Sequence, residues 1–401
     1  MLNETITNKH KLFIIASFCA FFTFAFPYTV QGSLAPVTMV YFGISAAQQG
    51  LIVTMQAVGS LCMAVFIALK GEMFNKINVI AFGLLAVSAI TLVISGVSAY
   101  PFLLVLVLLL GIAACPIDIM MNGVISETYP KQKNTLLPIV HGFFATGATC
   151  VPIVVGLVAS PDEPPSFRTA YRLIGFIAIG VFLFYFANSR RVKNETPYVN
   201  MEAMKTRAIE NPAEIFKTGK AWYLIVVGLL YTTFQLGTIM WLPTFTIRNA
   251  GADFGTGTLM LTLFFAGALP IRFLTPLFLR RFSPGKMYVY FTWAAVASML
   301  VALLSENIPV MLVFVTACGF LQGGHFAILI LMCCETFPER TASASSIMAF
   351  ANGISALTAP FWMGLLSEHT GFQIPMILIL GALFGSAVMV FLMGRKRGSS
   401  M

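Results

Sequence analysis

Charge is scarce in this sequence: only 10% of its 401 residues are Asp, Glu, Lys or Arg, against 58% hydrophobic residues. A soluble domain carries roughly a quarter of its residues as charges, so an ordinary water-exposed surface is excluded and lipid must solvate much of the chain. Several chemistries are missing as well. No Walker-type phosphate loop, no His-Glu-x-x-His zinc motif and no Gly-x-Ser-x-Gly nucleophile elbow occurs. Primary pumping and hydrolysis are therefore disfavoured, and the chain reads as a non-enzyme without cofactor or bound metal. The seven cysteines, Cys19, Cys62, Cys115, Cys150, Cys318, Cys333 and Cys334, lie in or at the edges of apolar stretches without metal-ligand spacing and read as small hydrophobes.

What is present in quantity is the long apolar run. Twelve occur, at about 12 to 37, 46 to 69, 77 to 97, 101 to 124, 136 to 159, 170 to 188, 221 to 247, 254 to 279, 286 to 304, 308 to 332, 343 to 366 and 372 to 393. Each is long enough to cross a hydrocarbon core of roughly 30 Å as a helix rising 1.5 Å per residue. The first is too long for a secretory signal, lacks a clear small-residue cleavage site and opens a continuous series, so it is expected to stay in the mature protein.

The net charge of +9 would suit a nucleic-acid binder, but its distribution argues otherwise. With a cytoplasmic N-terminus, twenty of the 24 Lys and Arg residues fall on the cytoplasmic side, and only Arg168, Arg172 and Arg248 lie on or beside the other. This is the positive-inside bias of a multi-pass protein of the cytoplasmic (inner) membrane with both termini inside, and no nucleic-acid partner is needed to explain it.

Sliding the sequence against itself at an offset of 208 aligns Gly59 with Gly267, Gly111 with Gly319, Pro152 with Pro360 and Gly156 with Gly364. The same register places Glu127-Thr128-Tyr129-Pro130 on Glu335-Thr336-Phe337-Pro338. The chain therefore reads as an all-α membrane protein of twelve transmembrane helices in two six-helix repeats, 1–188 and 221–401, joined by a polar cytoplasmic linker over 189–220. Because six is even, the halves run parallel, which is the arrangement of the major facilitator fold with solute bound near the bilayer midplane. Within the linker, 200–210 has the makings of a short helix on the membrane surface.

An ionisable residue deep in a span is a functional candidate by default, because lipid makes it costly. Asp118, His141, Arg272 and His325 qualify. Asp118 lies about 13 Å inside the cytoplasmic end of the fourth run, by the helical rise, and His141 is at comparable depth on the fifth. The two could meet and serve proton coupling, since a low-dielectric site disfavours the charged form of each. The bland reading is a static hydrogen bond from Asp118 to Asn122, one turn on. His325 sits at nearly the repeat-related position of Asp118. Arg272, within reach of an interface or of a carboxylate such as Glu335, reads as a gating or structural cation, and Glu127 and Glu335 as gate charges at equivalent helix ends. Gln31, Gln56, Gln235, Trp241 and Asn352 are of the kind that binds a hydroxylated solute, although each is more often interhelical glue. Among them Gln235 and Trp241 are favoured.

The stretch Gly111-Ile-Ala-Ala-Cys-Pro-Ile-Asp118-Ile-Met-Met-Asn122, followed by His141-Gly-Phe-Phe-Ala-Thr-Gly147-Ala and Pro152, resembles the helix 4 to helix 5 pattern of the fucose:proton symporter family within the major facilitator superfamily. The stretch ending Trp241-Leu242-Pro243 and the Pro360 and Gly364 pattern are also similar. The resemblance implies a role in proton coupling or substrate binding for Asp118, with Asn122 and His141 beside it. Two positions depart from the pattern: Gly32 stands where sugar symporters of that family can carry Asp, and Asn75 replaces the Asp of the loop after the second helix.

Three readings follow. The leading one is secondary transport of a small polar solute such as a sugar by alternating access, coupled to H+, by a monomer in the bilayer. The others are proton-driven efflux of amphipathic compounds, favoured by 37 Phe and 21 Met, and a receptor-like membrane protein that moves nothing.

Overall fold

The computed structural model describes residues 7–70, 73–192, 217–337 and 341–398. Most of the expected linker, including the proposed surface helix over 200–210, lies outside the described residues.

The helices are α1 Asn8–Phe24, α2 Phe26–Phe42, α3 Ala46–Lys70, α4 Lys76–Ile94, α5 Tyr100–Thr128, α6 Lys133–Val158, α7 Phe167–Val192, α8 Gly219–Ala250, α9 Phe254–Phe278, α10 Pro284–Leu304, α11 Ile308–Gln322, α12 His325–Thr336, α13 Thr341–Thr370 and α14 Gln373–Gly398. Taken with α1–α2 and α11–α12 as single spans broken at Ala25 and at Gly323-Gly324, they give twelve helices long and apolar enough to cross a membrane. All twelve expected runs are found, and this is a multi-pass membrane protein.

The helix ends are set by local chemistry. Asn75 caps α4 by accepting from the Asn78 amide at 3.1 Å, so the position that departs from the family's Asp still satisfies one orphan donor of the first turn. Asp253 does the same for α9 through the Thr256 amide at 2.9 Å. Its carboxyl is held below the ordinary Asp value by hydrogen bonds from the Thr256 side chain and backbone.

Two compact units emerge: Met1–Phe42 with Met55–Ile209, and Gly43–Thr54 with Glu210–Met401. In the first, α3 and α5 meet at two glycines. A Cβ on Gly59 would stand 2.0 Å from the Leu108 carbonyl oxygen, and one on Gly111 would stand 2.0 Å from that of Gln56. In the second, α9 and α11 meet in the same way, Gly267 against Thr316 at 2.2 Å and Gly319 against Phe264 at 2.1 Å. Every member of the second pair of contacts is a member of the first displaced by 208 positions. Backbone contact through small residues is how membrane helices associate where lipid removes any hydrophobic drive between them, and here it is built twice in one register.

Residues Gly43–Thr54 group with the second unit although they open the second span. Within that unit Gly50 lies against the Pro360 carbonyl and Gly364 against that of Ala46, with Cβ positions at 2.4 and 2.3 Å. The Thr54 hydroxyl donates to the Leu357 carbonyl at 2.9 Å, and the Ala47 amide donates to Glu368 Oε1 at 2.8 Å.

Candidate functional site

In the first unit, α5 and α6 run antiparallel through the short turn at 129–132, which brings Asp118, Asn122 and His141 into one array. The Asn122 amide donates to the Asp118 carbonyl at 2.8 Å and lies 3.4 Å from Asp118 Oδ1. Its own Oδ1 is 3.2 Å from His141 Nε2. Asp118 and His141 thus meet through Asn122 and not directly. The i to i+4 bond expected of a packing aspartate is present, but it does not stop there, because it extends to an imidazole on the next helix. Asp118 and Asn122 are half-buried and His141 is exposed, so the array borders open space. Pro116, inside α5 two residues before Asp118, has no amide to close the preceding turn.

Aromatic rings flank this array. Phe21 of α1 meets the His141 ring edge-on at 5.1 Å between centroids, and Phe18 stacks on Phe143 at 4.9 Å. Tyr28 of α2 packs with Phe24 and Phe144, and its hydroxyl lies 3.4 Å from Ser60 Oγ. The sequence gives these rings no distinguishing mark beyond their density, so they did not enter the candidate set.

The remaining candidates are dispersed. Gln31 is 3% exposed and interacts with the Tyr171 hydroxyl inside the first unit. Gln56 is also buried, with no partner for its carboxamide. Trp241 is 0% exposed and donates from Nε1 to the Pro360 carbonyl at 3.1 Å, tying α8 to α13. His325 is 1% exposed, with Nε2 at 2.8 Å from the Thr292 hydroxyl and its ring against those of Tyr231 and Tyr288. Gln31, Trp241 and His325 are thus buried against neighbouring helices of their own units. Gln235 and Asn352 are half-buried on α8 and α13. The same two helices also share a hydroxyl cluster that the sequence reading missed: Ser355 Oγ lies 2.7 Å from Thr232 Oγ1 and 3.1 Å from Thr233 Oγ1.

At the end of α5, Glu127 forms an ion pair with Lys76, tying that helix to α4. Its repeat partner Glu335 is exposed. No ion pair joins Glu335 to Arg272, which faces the interior of its unit; the carboxylate partner expected for Arg272 is therefore not this one. Among the described residues no group of three or more His, Cys, Asp or Glu side chains could hold a metal ion.

Residues 15–291 and 247–400 match the Major Facilitator Superfamily. The chain belongs to this superfamily. Its curated relatives include the uncharacterized MFS-type transporter YfkL of Bacillus subtilis (strain 168), 24% identical over 337 residues, covering 82% of this chain and 83% of YfkL. Among solved structures, the fold is similar to that of a bacterial homolog of the human lysosomal transporter Spinster in an inward-facing, unoccupied conformation. That likeness has a TM-score of 0.80 at 15% identity and covers 98% of each chain. A D-xylose-proton symporter is also similar, with a TM-score of 0.75 at 11% identity over 95% of this chain and 97% of the symporter. At such identities the structural likeness establishes the fold, and the function as a transporter rests on the superfamily itself.

Proposed function

We propose that this major facilitator is a proton-coupled symporter of a small polar solute, such as a sugar. It would work by alternating access as a monomer in the cytoplasmic membrane with both termini inside. The observation that carries the reading is the array Asp118–Asn122–His141 within the spans of α5 and α6, the one place in the described spans where a carboxylate and an imidazole share a hydrogen-bonded bridge. Asp118 is the proton-carrying group, Asn122 relays its state to the neighbouring helix, and His141 tunes it. Within the first unit, solute contacts come from Asn122 and from the rings around the array. The Lys76–Glu127 pair and Glu335 mark the helix ends that move in gating.

The test is uptake by proteoliposomes carrying an imposed pH gradient, acid outside. Symport predicts solute accumulation together with proton entry, reported by a trapped pH dye. Accumulation that ignores the gradient, or a dye that does not respond to solute, rejects proton coupling. The ring cluster is the observation that favours the second reading, export of amphipathic compounds, and reversing the gradient in the same vesicles separates the two.

A further inference from the structure

Of the charged residues in the described spans of the second unit, Arg272 alone lies more than two residues from a span end, six residues inside the end of α9. It stands on the packed face of that helix. Ala268, Ile271 and Thr275 around it are buried, whereas Phe273, Leu274 and Leu277 on the opposite side are exposed. Its Nε is buried without an acceptor, and the side chain as a whole is half-buried, so the open part of the guanidinium is its Nη end. No carboxylate of the described residues pairs with it. In the same unit the Tyr231 hydroxyl donates to Gln322 Oε1 at 3.3 Å.

Intramembrane cations pair with an anion, face a water-filled cavity or reach for the interface. Lys can relieve an unpaired site by shedding its proton; Arg cannot, since its guanidinium stays charged in proteins. Among the described residues no anion meets this guanidinium, and its open Nη end leaves room for one from outside the chain. Its planar fork matches the two oxygens of a carboxylate or phosphate. We propose that Arg272 binds an oxyanion group of the transported solute, so that the cargo is a polar acid and not a neutral sugar. The inference rests on the transport reading and narrows its substrate class.

The test is binding without any gradient, read as thermal stabilisation of the purified full chain in detergent. The probes are matched acid and neutral pairs: gluconate and glucose, glucuronate and glucuronamide, lactate and lactamide, uridine monophosphate and uridine, with inorganic phosphate alone. At least one acid should raise the melting temperature while its neutral partner does not. Arg272→Gln should weaken that acid at least tenfold, and Arg272→Lys, which keeps the charge and loses the fork, should retain the preference with weaker binding. Protection by neutral and acid members alike, no protection by any acid, or an acid preference that survives Arg272→Gln each overturns the assignment. Nanodiscs of phosphatidylglycerol or phosphatidylcholine supply the remaining arm. Stabilisation by the anionic lipid that disappears in Arg272→Gln would make an anionic lipid headgroup the occupant and likewise refute a solute site. Because no gradient is involved, a failure of proton coupling leaves these results intact, and a failure here leaves the coupling assay to proceed with neutral solutes.

Discussion

Replacing Gly111 by Ala puts one methyl group where the structure has no room for it. The new Cβ would stand 2.0 Å from the Gln56 carbonyl oxygen, whereas ordinary contact begins at 3.4 Å. The helices α3 and α5 must therefore separate by about 1.4 Å, and because the obstructing atom is backbone, no rotamer change absorbs it. Overpacking of this kind costs about 1–3 kcal/mol, with a backbone clash at the upper end. The higher helix propensity of Ala returns at most about 1 kcal/mol. The net expectation is destabilisation by about 2 kcal/mol, more than tenfold in an equilibrium constant. Gly319→Ala meets the Phe264 carbonyl at 2.1 Å and should behave alike. The two sites share no partner, so the double variant should lose close to the sum of the single effects. Gly180 and Gly381 have nothing within 4 Å of a built Cβ, and their Ala variants serve as controls. The assay is fluorescence-detected melting in detergent. Gly111→Ala and Gly319→Ala should melt several degrees lower, and the controls no lower than the native chain. If either tight-site variant melts with the controls, the backbone-contact account of the repeated seams is refuted.

Three further outcomes are expected. His141→Gln keeps a partner for Asn122 but removes the titrating ring, so transport should persist with a shifted pH profile; an unchanged profile would remove His141 from the coupling array. Asp253→Ala should cost about 0.5 kcal/mol at neutral pH, the low end for an exposed cap. Because the folded-state carboxyl titrates below its unfolded value, that stability is present above the ordinary Asp pKa of about 3.9 and is lost as pH falls through the folded value; the native and Asp253→Ala proteins should therefore converge in melting temperature in strong acid, as unfolding scans between neutral and acid pH will show. Finally, a single cysteine placed at Lys217 should react with an impermeant reagent only from the cytoplasmic side and one at Asp162 only from outside, and the reverse pattern would invert the topology.

The spans and the repeat were legible in the sequence because both rest on one-dimensional signals. An apolar run of sufficient length leaves a membrane segment little alternative to a helix, and glycines such as Gly59, Gly111, Gly267 and Gly319 mark backbone contacts that no other residue permits. Polar side chains within spans were harder to read. Gln31, Trp241 and His325 have the same composition signal as cavity residues, yet Tyr171, the Pro360 carbonyl and Thr292 engage them inside their own units. Which of two faces a helical residue occupies depends on its neighbours' packing, and a sequence without alternation on that scale does not encode it visibly. Arg272 illustrates the converse: its depth was readable, but the lack of a carboxylate partner among the described residues is a three-dimensional fact. The i to i+4 spacing of Asp118 and Asn122 and the short turn into α6 did carry enough information to bring His141 to the same array.

The central claim is that the Asp118 carboxyl carries the coupled proton. Asp118→Asn preserves the size and much of the hydrogen bonding to Asn122 but cannot release a proton. In proteoliposomes loaded with the transported solute, the variant should still exchange labelled solute across the membrane while failing to concentrate it under an inward proton gradient. If Asp118→Asn accumulates solute against its gradient as the native protein does, the residue is a packing aspartate and the coupling account is wrong.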